Sequence, residues 1–478
     1  MKIVKKQTLL VLTAFLVAVA ISGASYANGM TDVYVSPDGD DTTGTGDEND
    51  PFETVGKGVD TVTSGGTVNL AAGTYDQDNG GVSTDYGINI AKDLTIQGAG
   101  KDQTFIDALG LDRIFRIDDG YTVTLKDLTI MNGDTSGKGG GVKVRPGSTL
   151  NVINCNFIDN TADGDGGAIC NLGTTTVTNC LFNNNVADSG GAIYNEYGAT
   201  LTVTGSTFTA NIAEGGQNDA IQGGAIYTYL GMLQVIGNNF LNNMGNAIYV
   251  NAYSNGNGAA GPLIFKINVN RIVGNTPYGL YVNTPVQIRD LAAASDGIHP
   301  IDATNNWWGS NNDPRTMPGT IYDPMNFADT TKWLVLKIGA NPNIVPFGST
   351  SLVTASVIYN NLGEDTSSIG HIPDGTPITI TTDIGNVGSK SVTLYTVGGI
   401  VTTILRANDG LGTANLFAIL DGFSTPLPAQ VVITAAASTV SAQTIGMQET
   451  GLPILPILLA LLMVLGGLYG GQRKIRGV

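Results

Sequence analysis

Short runs in which apolar residues alternate with Thr or Asn recur through the middle of the chain. The pairs Leu150 and Val152, Thr175 and Val177, Leu201 and Val203, and Leu233 and Val235 each flank a single Thr, Asn or Gln. Such alternation, bounded by Gly, Asn and Asp, predicts strands that bury one face and end in tight turns. Nothing in this region follows the roughly 3.6-residue period of a helix. Landmarks accompany the strands: Phe157, Phe182, Phe208 and Phe240 are followed, three residues on, by Asn160, Asn185, Asn211 and Asn243. Paired glycines stand at Gly140-Gly141, Gly166-Gly167, Gly190-Gly191 and Gly223-Gly224, with a degenerate copy at Gly245-Asn246.

Self-similarity on a beat of roughly 20 to 50 residues marks stacked repeats, because one unit alone cannot bury its apolar face. Units this short leave no room for a crossover helix, so each must wrap as one coil of a parallel β-helix. Like residues then stack about 4.8 Å apart. In that reading the glycines shape corners that need φ > 0 or close backbone approach. The asparagines tolerate the left-handed conformation and bond neighbouring backbone. Both are scaffold, and "GGAIYNEYGATLTVTGSTFTAN" is no phosphate cradle.

Upstream, "NDPFETVGKGVDTVT" carries Asp50 as a candidate N-cap, Pro51 at the first helical position and Glu53 three residues after the cap. Val55, Val59 and Val62 follow along one face, so a short amphipathic helix is expected to cover the open β-helix end. Beyond "NNWWGSNNDP", Asn305 to Pro314, the beat stops. Short strands with frequent turn signals then predict a small antiparallel sandwich.

The ends address the chain to the cell surface. Lys2, Lys5 and Lys6 precede an apolar run from Leu9 to Ile21, and Ser25-Tyr26-Ala27 supplies a cleavage site, as in a secretory signal peptide. Leu452 to Tyr469 is uncharged and is followed by Arg473, Lys474 and Arg476. That segment is long enough to span a membrane with its basic tail in the cytoplasm. The expected organisation is a signal peptide at 1–27, a strand and capping helix at 28–66, the β-helix at 67–330, the sandwich at 333–443 and an anchor at 447–478.

The residues also carry a resemblance. "VYVSPDGDDTTGTGDENDPF", "GTVNLAAGTY", "LTIQGAGKDQTFID" and the GGAI and FxxN repeats resemble the pectin-lyase-like right-handed β-helices of adhesin-like surface proteins from methanogenic archaea. The repeats are similar to those of chlamydial polymorphic membrane proteins. "NNWWGSNNDP" matches the segment that closes the helix in the archaeal proteins, and "ETGLPILPILLALLMVLGG" resembles their terminal membrane segments. "IPDGTPITITTDIGNVGS", Ile372 to Ser389, resembles the bacterial Ig-like modules of invasin-type adhesins. The fold class expected is all-β: a right-handed parallel β-helix, then an Ig-like β-sandwich, with a C-terminal transmembrane helix. The resemblance implies a cell-surface role; the function expected is a non-enzymatic, adhesin-like one, with glycans or proteins of other cells as partners.

Composition narrows the chemistry. Across 478 residues the chain has 65 glycines, 13% charged residues and a net charge of −17, which argues against nucleic acid as a partner. A polysaccharide lyase or hydrolase is the serious rival, and a purely structural envelope protein a third reading. Of the two histidines, His299 precedes "NNWWG" and His371 lies in a sandwich loop, neither near a Ser or Cys motif. Asp159, Asp163, Asp165 and Asp188 fall in turns rather than as pairs on a strand. "SPDGDDTTGTGDEND" would suit calcium by carboxylate density but lacks an EF-hand's ligand alternation, so a solvated loop is expected, with no metal or other cofactor. Cys155 and Cys180 share one place in successive coils, as stacked free thiols whose parallel side chains disfavour a disulfide.

Candidate binding residues come from alternation within GGAIY. Ile193, Ile226 and Ile248 point inward, so Tyr194, Tyr227 and Tyr249 are expected on one outer face. An exposed row of this kind would stack on sugar rings or grip a protein, with packing between coils as the alternative. In the same position Cys170 replaces the tyrosine.

Overall fold

The computed structural model describes residues 29–77, 84–215, 222–252, 264–283 and 301–436. The alternating segments form three long parallel sheets of eleven, nine and eight strands, with a fourth short sheet of four strands between turns. This is the architecture of a right-handed parallel β-helix. The eleven-stranded sheet begins at Met30–Val35, which pairs with Val62–Leu70, so coiling starts ahead of residue 67. Its last strand is Ala328–Asp329.

The phenylalanines form a column in the tube. Phe157, Phe182, Phe208 and Phe240 pair in register on neighbouring strands. Their rings stack at 4.9, 4.6 and 4.9 Å and none is exposed. Each buried ring is worth roughly 1.5–3 kcal/mol, with about 0.5–1.5 kcal/mol more from ring contact. One inward column contains a misfit: Leu150, Thr175, Leu201 and Leu233 align, and the buried Thr175 hydroxyl has no hydrogen-bond partner. Replacing Thr175 with Val removes that unpaired hydroxyl, and chemical denaturation should show a gain of about 1–2 kcal/mol.

From Asn154 onward two corners of successive coils repeat one device: a residue with positive φ, then a buried polar residue or cysteine. At one corner Asp159, Asn184, Ala210, Asn242 and Gly274 take positive φ, and Asn160, Asn185, Asn211, Asn243 and Asn275 follow them. Each of these asparagines from Asn160 to Asn243 donates Nδ2–H to the next coil's Oδ1, at 2.9–3.0 Å. The same Oδ1 atoms accept the backbone N–H of the coil before. The other corner holds Cys155, Cys180, Ser206, Asn238, Asn270 and Asn306 in one column. There Cys155 N–H reaches Cys180 Sγ at 3.4 Å, and Asn238 Nδ2 reaches Asn270 Oδ1 at 3.1 Å.

Strand register corrects the glycine pairing by one residue in the first copy. Val142 pairs with Ile169, so Gly139-Gly140, not Gly140-Gly141, matches Gly166-Gly167. The first glycine of each pair has φ between +64° and +76°, from Gly139 to Gly223. The second has no room for a Cβ: on Gly167 it would run into the carbonyl oxygens of Gly191 and Val186.

The expected capping helix spans Val55–Thr61 and packs Val55 and Val59 inside, with Gly58 against Val35 and Val68. Its N-cap is Thr54, not Asp50: Thr54 Oγ1 accepts Lys57 N–H at 3.3 Å. Asp50 instead closes a turn with Asp47. Carboxylates distant in sequence displace the local signal. Asp41 accepts N–H from Glu53 and Thr54 at 2.8 and 3.0 Å, and Asp85 accepts from Val55 at 2.7 Å. At the other end Lys92 Nζ donates to the carbonyls of Val59, Asp60 and Val62, each at 3.0 Å.

After the last coil, residues 334–434 form a three-stranded antiparallel sheet and a six-stranded, mainly antiparallel sheet. Both supply one apolar cluster that includes Val353, Val357, Ile378, Ile380, Leu416 and Val431. "NNWW" joins this unit to the β-helix by simple alternation. Asn305 takes positive φ, Asn306 ends the polar column, Trp307 enters the second cluster and Trp308 enters the β-helix core. Asp421 accepts from Trp307 Nε1 at 2.8 Å and from Arg271 Nε at 2.9 Å. Among the described residues no helix is long and apolar enough to cross a membrane. The signal peptide and the anchor expected at the two ends lie outside the described residues, as does His299.

Candidate functional site: the outer face of the nine-stranded sheet

Each strand of the nine-stranded sheet contributes one residue to a single outward column, and strand register lines these up. The column runs Asn89, Arg116, Lys143, Cys170, Tyr194, Tyr227, Tyr249, Tyr281 and Tyr322. It is cationic at one end and aromatic at the other. The expected alignment of Tyr194, Tyr227 and Tyr249 therefore holds, with ring centroids at 5.1 and 5.2 Å.

Their expected exposure does not hold. Tyr194, Tyr227 and Tyr249 are 7%, 5% and 2% exposed and form a separate apolar cluster with Cys170. Leu172 and Tyr229 pack against it, and Lys138 Nζ lies 5.0 Å from the Tyr194 ring centre. Asn251 Nδ2 donates to Tyr227 OH at 2.8 Å. Burial pushes the Tyr227 phenol up to about 12, and it raises Tyr194 as well. Within the stack each ring spends its faces on its neighbours.

The stack ends in a more open corner. Tyr281 lies 4.5 Å from Tyr322, and Tyr278 leans on both at 5.9 and 5.3 Å with tilts of 53° and 42°. Tyr322 is 38% exposed and Tyr278 and Tyr281 are half-buried. Such a corner offers apolar ring faces beside phenolic hydroxyls, the combination that suits a sugar ring.

The cationic end was missed by reading GGAIY alone. Aligning "GGGVK" and "RIFR" with it puts Lys143 and Arg116 in the tyrosine position. Here Arg113, Arg116, Lys143 and Arg145, with Pro146 and Leu172, line an open cavity of 450 Å³. A smaller cavity of 210 Å³, lined by Gly87, Asn89 and Asp112, adjoins it through Arg113 and Arg116.

Other candidates resolve into structure. Cys155, Cys170 and Cys180 are free and buried, and burial pushes Cys180 up to about 11 and Cys170 up to about 12. Asp165 pairs with Lys138 at 2.5 Å, and Asp159 accepts from Asn184. Asp40, Asp41 and Asp50 accept hydrogen bonds from their own loop and the helix start. His371 sits on the surface, 3.5 Å from Asp374. Among the described residues no group of three His, Cys, Asp or Glu side chains is placed to hold a metal.

Residues 102–220 match a family model described as a right handed beta helix region, and residues 37–113 match a protein family of unknown function, DUF1565. The first of these agrees with the sheets observed. A solved rhamnogalacturonan lyase is similar over 52% of this chain and 70% of its own, at 12% identity and a TM-score of 0.32. That likeness bears on neither activity nor substrate. No curated protein matches the chain.

Proposed function

We propose that the chain is a non-enzymatic, adhesin-like attachment protein that displays its β-helix at the cell surface. The observation that carries this is the division of labour in each coil. Glycines, asparagines and phenylalanines are consumed in holding the tube, while one outer column ends in a partly open aromatic corner. The two-sheet unit at 334–434 fits an Ig-like stalk between the β-helix and a C-terminal membrane anchor. Glycans or proteins of other surfaces are the partners, and the corner Tyr278, Tyr281 and Tyr322 replaces the buried Tyr194, Tyr227 and Tyr249 as the contact.

The test is attachment of the full chain to a glycan array and to partner cells. Changing Tyr281 and Tyr322 together to Ser should weaken attachment by roughly 30-fold or more, since stacked aromatic anchors carry about 1–2 kcal/mol each. Unchanged attachment removes this corner from the account. Release of unsaturated products from a uronan would establish the lyase reading in its place.

A further inference from the structure

The cationic end of the column lacks a structural explanation of its own. The chain is acidic overall, yet Arg113, Arg116, Lys143 and Arg145 converge on one cavity. Two of the four are matched. Arg116 holds Asp118 at 2.8 Å, and Arg145 holds Asp119 at 2.9 Å. The other two are not. Arg113 spends its guanidinium on neutral acceptors, the carbonyls of Gly139 and Lys138 and the Thr135 hydroxyl. The Lys143 side chain makes no hydrogen bond or ion pair among the described residues.

Strand register makes this costly. Lys143 stands directly over Arg116 on the adjacent coil, so two cationic side chains leave the backbone one strand spacing apart, about 4.8 Å. Burial, together with the charges of Arg113, Lys138 and Arg116, holds Lys143 below the ordinary lysine value. A structural role would give Lys143 a carboxylate, as Lys138 has in Asp165. Instead the ammonium lines an open cavity, where an oxyanion bridging Arg116 and Lys143 would relieve the repulsion.

We infer that Arg113, Arg116, Lys143 and Arg145 bind the oxyanion groups of an acidic glycan. The inference deepens the attachment reading and rests on it for the glycan. Three features favour a glycan over other polyanions. The cavity holds four cations against the nearby Asp112, Asp118 and Asp119, a small excess that suits widely spaced charge and not a nucleic acid backbone. Its remaining lining, Pro146 and Leu172, is aliphatic, which accommodates a sugar face and offers no ring for base stacking. The column it belongs to ends in the aromatic corner, so one surface combines charge and ring recognition.

The test measures retention of the full chain on immobilised alginate, dextran sulfate, plain dextran and polyglutamate. Alginate or dextran sulfate should retain the chain in a salt-sensitive way and plain dextran should not; their order shows whether carboxylate or sulfate is preferred. K143Q and R116Q should each cut that retention by about tenfold. Because the Lys143 side chain holds no partner and is crowded by other cations, K143Q should keep or slightly raise the thermal midpoint, and the loss then belongs to the site. Retention unchanged in both variants, or equal retention on plain dextran, overturns the site. Tighter retention on polyglutamate overturns the glycan in favour of an acidic protein. Loss of alginate retention in K143Q while cell attachment persists supports the site and overturns its use in attachment.

Discussion

Replacing Asn211 with Ala should lower the unfolding free energy by about 3–5 kcal/mol, because it strips several buried groups of partners at once. Asn211 Oδ1 accepts both the backbone N–H and the Nδ2–H of Asn185, at 3.1 and 2.9 Å. Its Nδ2 donates to Asn243 Oδ1 at 2.9 Å and to Phe182 O at 3.0 Å. The residue is fully buried, so water cannot take over these bonds. Asp is no remedy: it would set a carboxylate oxygen against two acceptors, Asn243 Oδ1 and Phe182 O. Urea denaturation of Asn211→Ala and Asn211→Asp checks both statements. Losses below about 1 kcal/mol would show that the column is decorative.

The second large effect concerns the joint. Trp307→Ala should cost about 3–5 kcal/mol, the range for emptying a buried aromatic site. Trp307 is fully buried, packs edge-on to Phe423 at 6.0 Å and donates to Asp421. Without it Asp421, whose side chain is 7% exposed, keeps Arg271 alone. Trp307→Phe retains most of the volume and loses only the N–H, so about 1–3 kcal/mol is expected. Calorimetry should also show the effect on coupling. The wild type should unfold with the β-helix end and the two-sheet unit linked, and Trp307→Ala should separate an early transition of residues 334–434. A single unshifted transition would contradict the joint.

Much of the fold was legible because stacking turns sequence period into spatial columns. Phe157, Phe182, Phe208 and Phe240 share a beat, and identical rings at one strand spacing are the direct consequence. The mixed column was legible too: Cys155, Cys180, Ser206 and Asn238 each stand two residues before those phenylalanines, and all can accept a hydrogen bond from the coil before. Where three glycines run together, Gly139 to Gly141, composition cannot choose the pair and only strand register does. Period-two alternation states which way Tyr194 faces but not what covers it; its cover comes from Lys138, on a turn about two coils earlier. The helix cap failed for a related reason, since Asp41 and Asp85 reach Thr54 and Val55 from elsewhere in the chain. The cationic end emerged only when Lys143 and Arg116 were placed in register with the tyrosines.

The central claim is that the repeated asparagines and glycines hold the coils together and grip no ligand. Amide hydrogen exchange at Asn160, Asn185, Asn211 and Asn243 tests it most directly, because each backbone N–H is bonded to a side chain one coil on. The account predicts that these amides exchange only through global unfolding, among the slowest in the chain. Exchange at the rate of the exposed turns at Gly147 and Gly198 would contradict it.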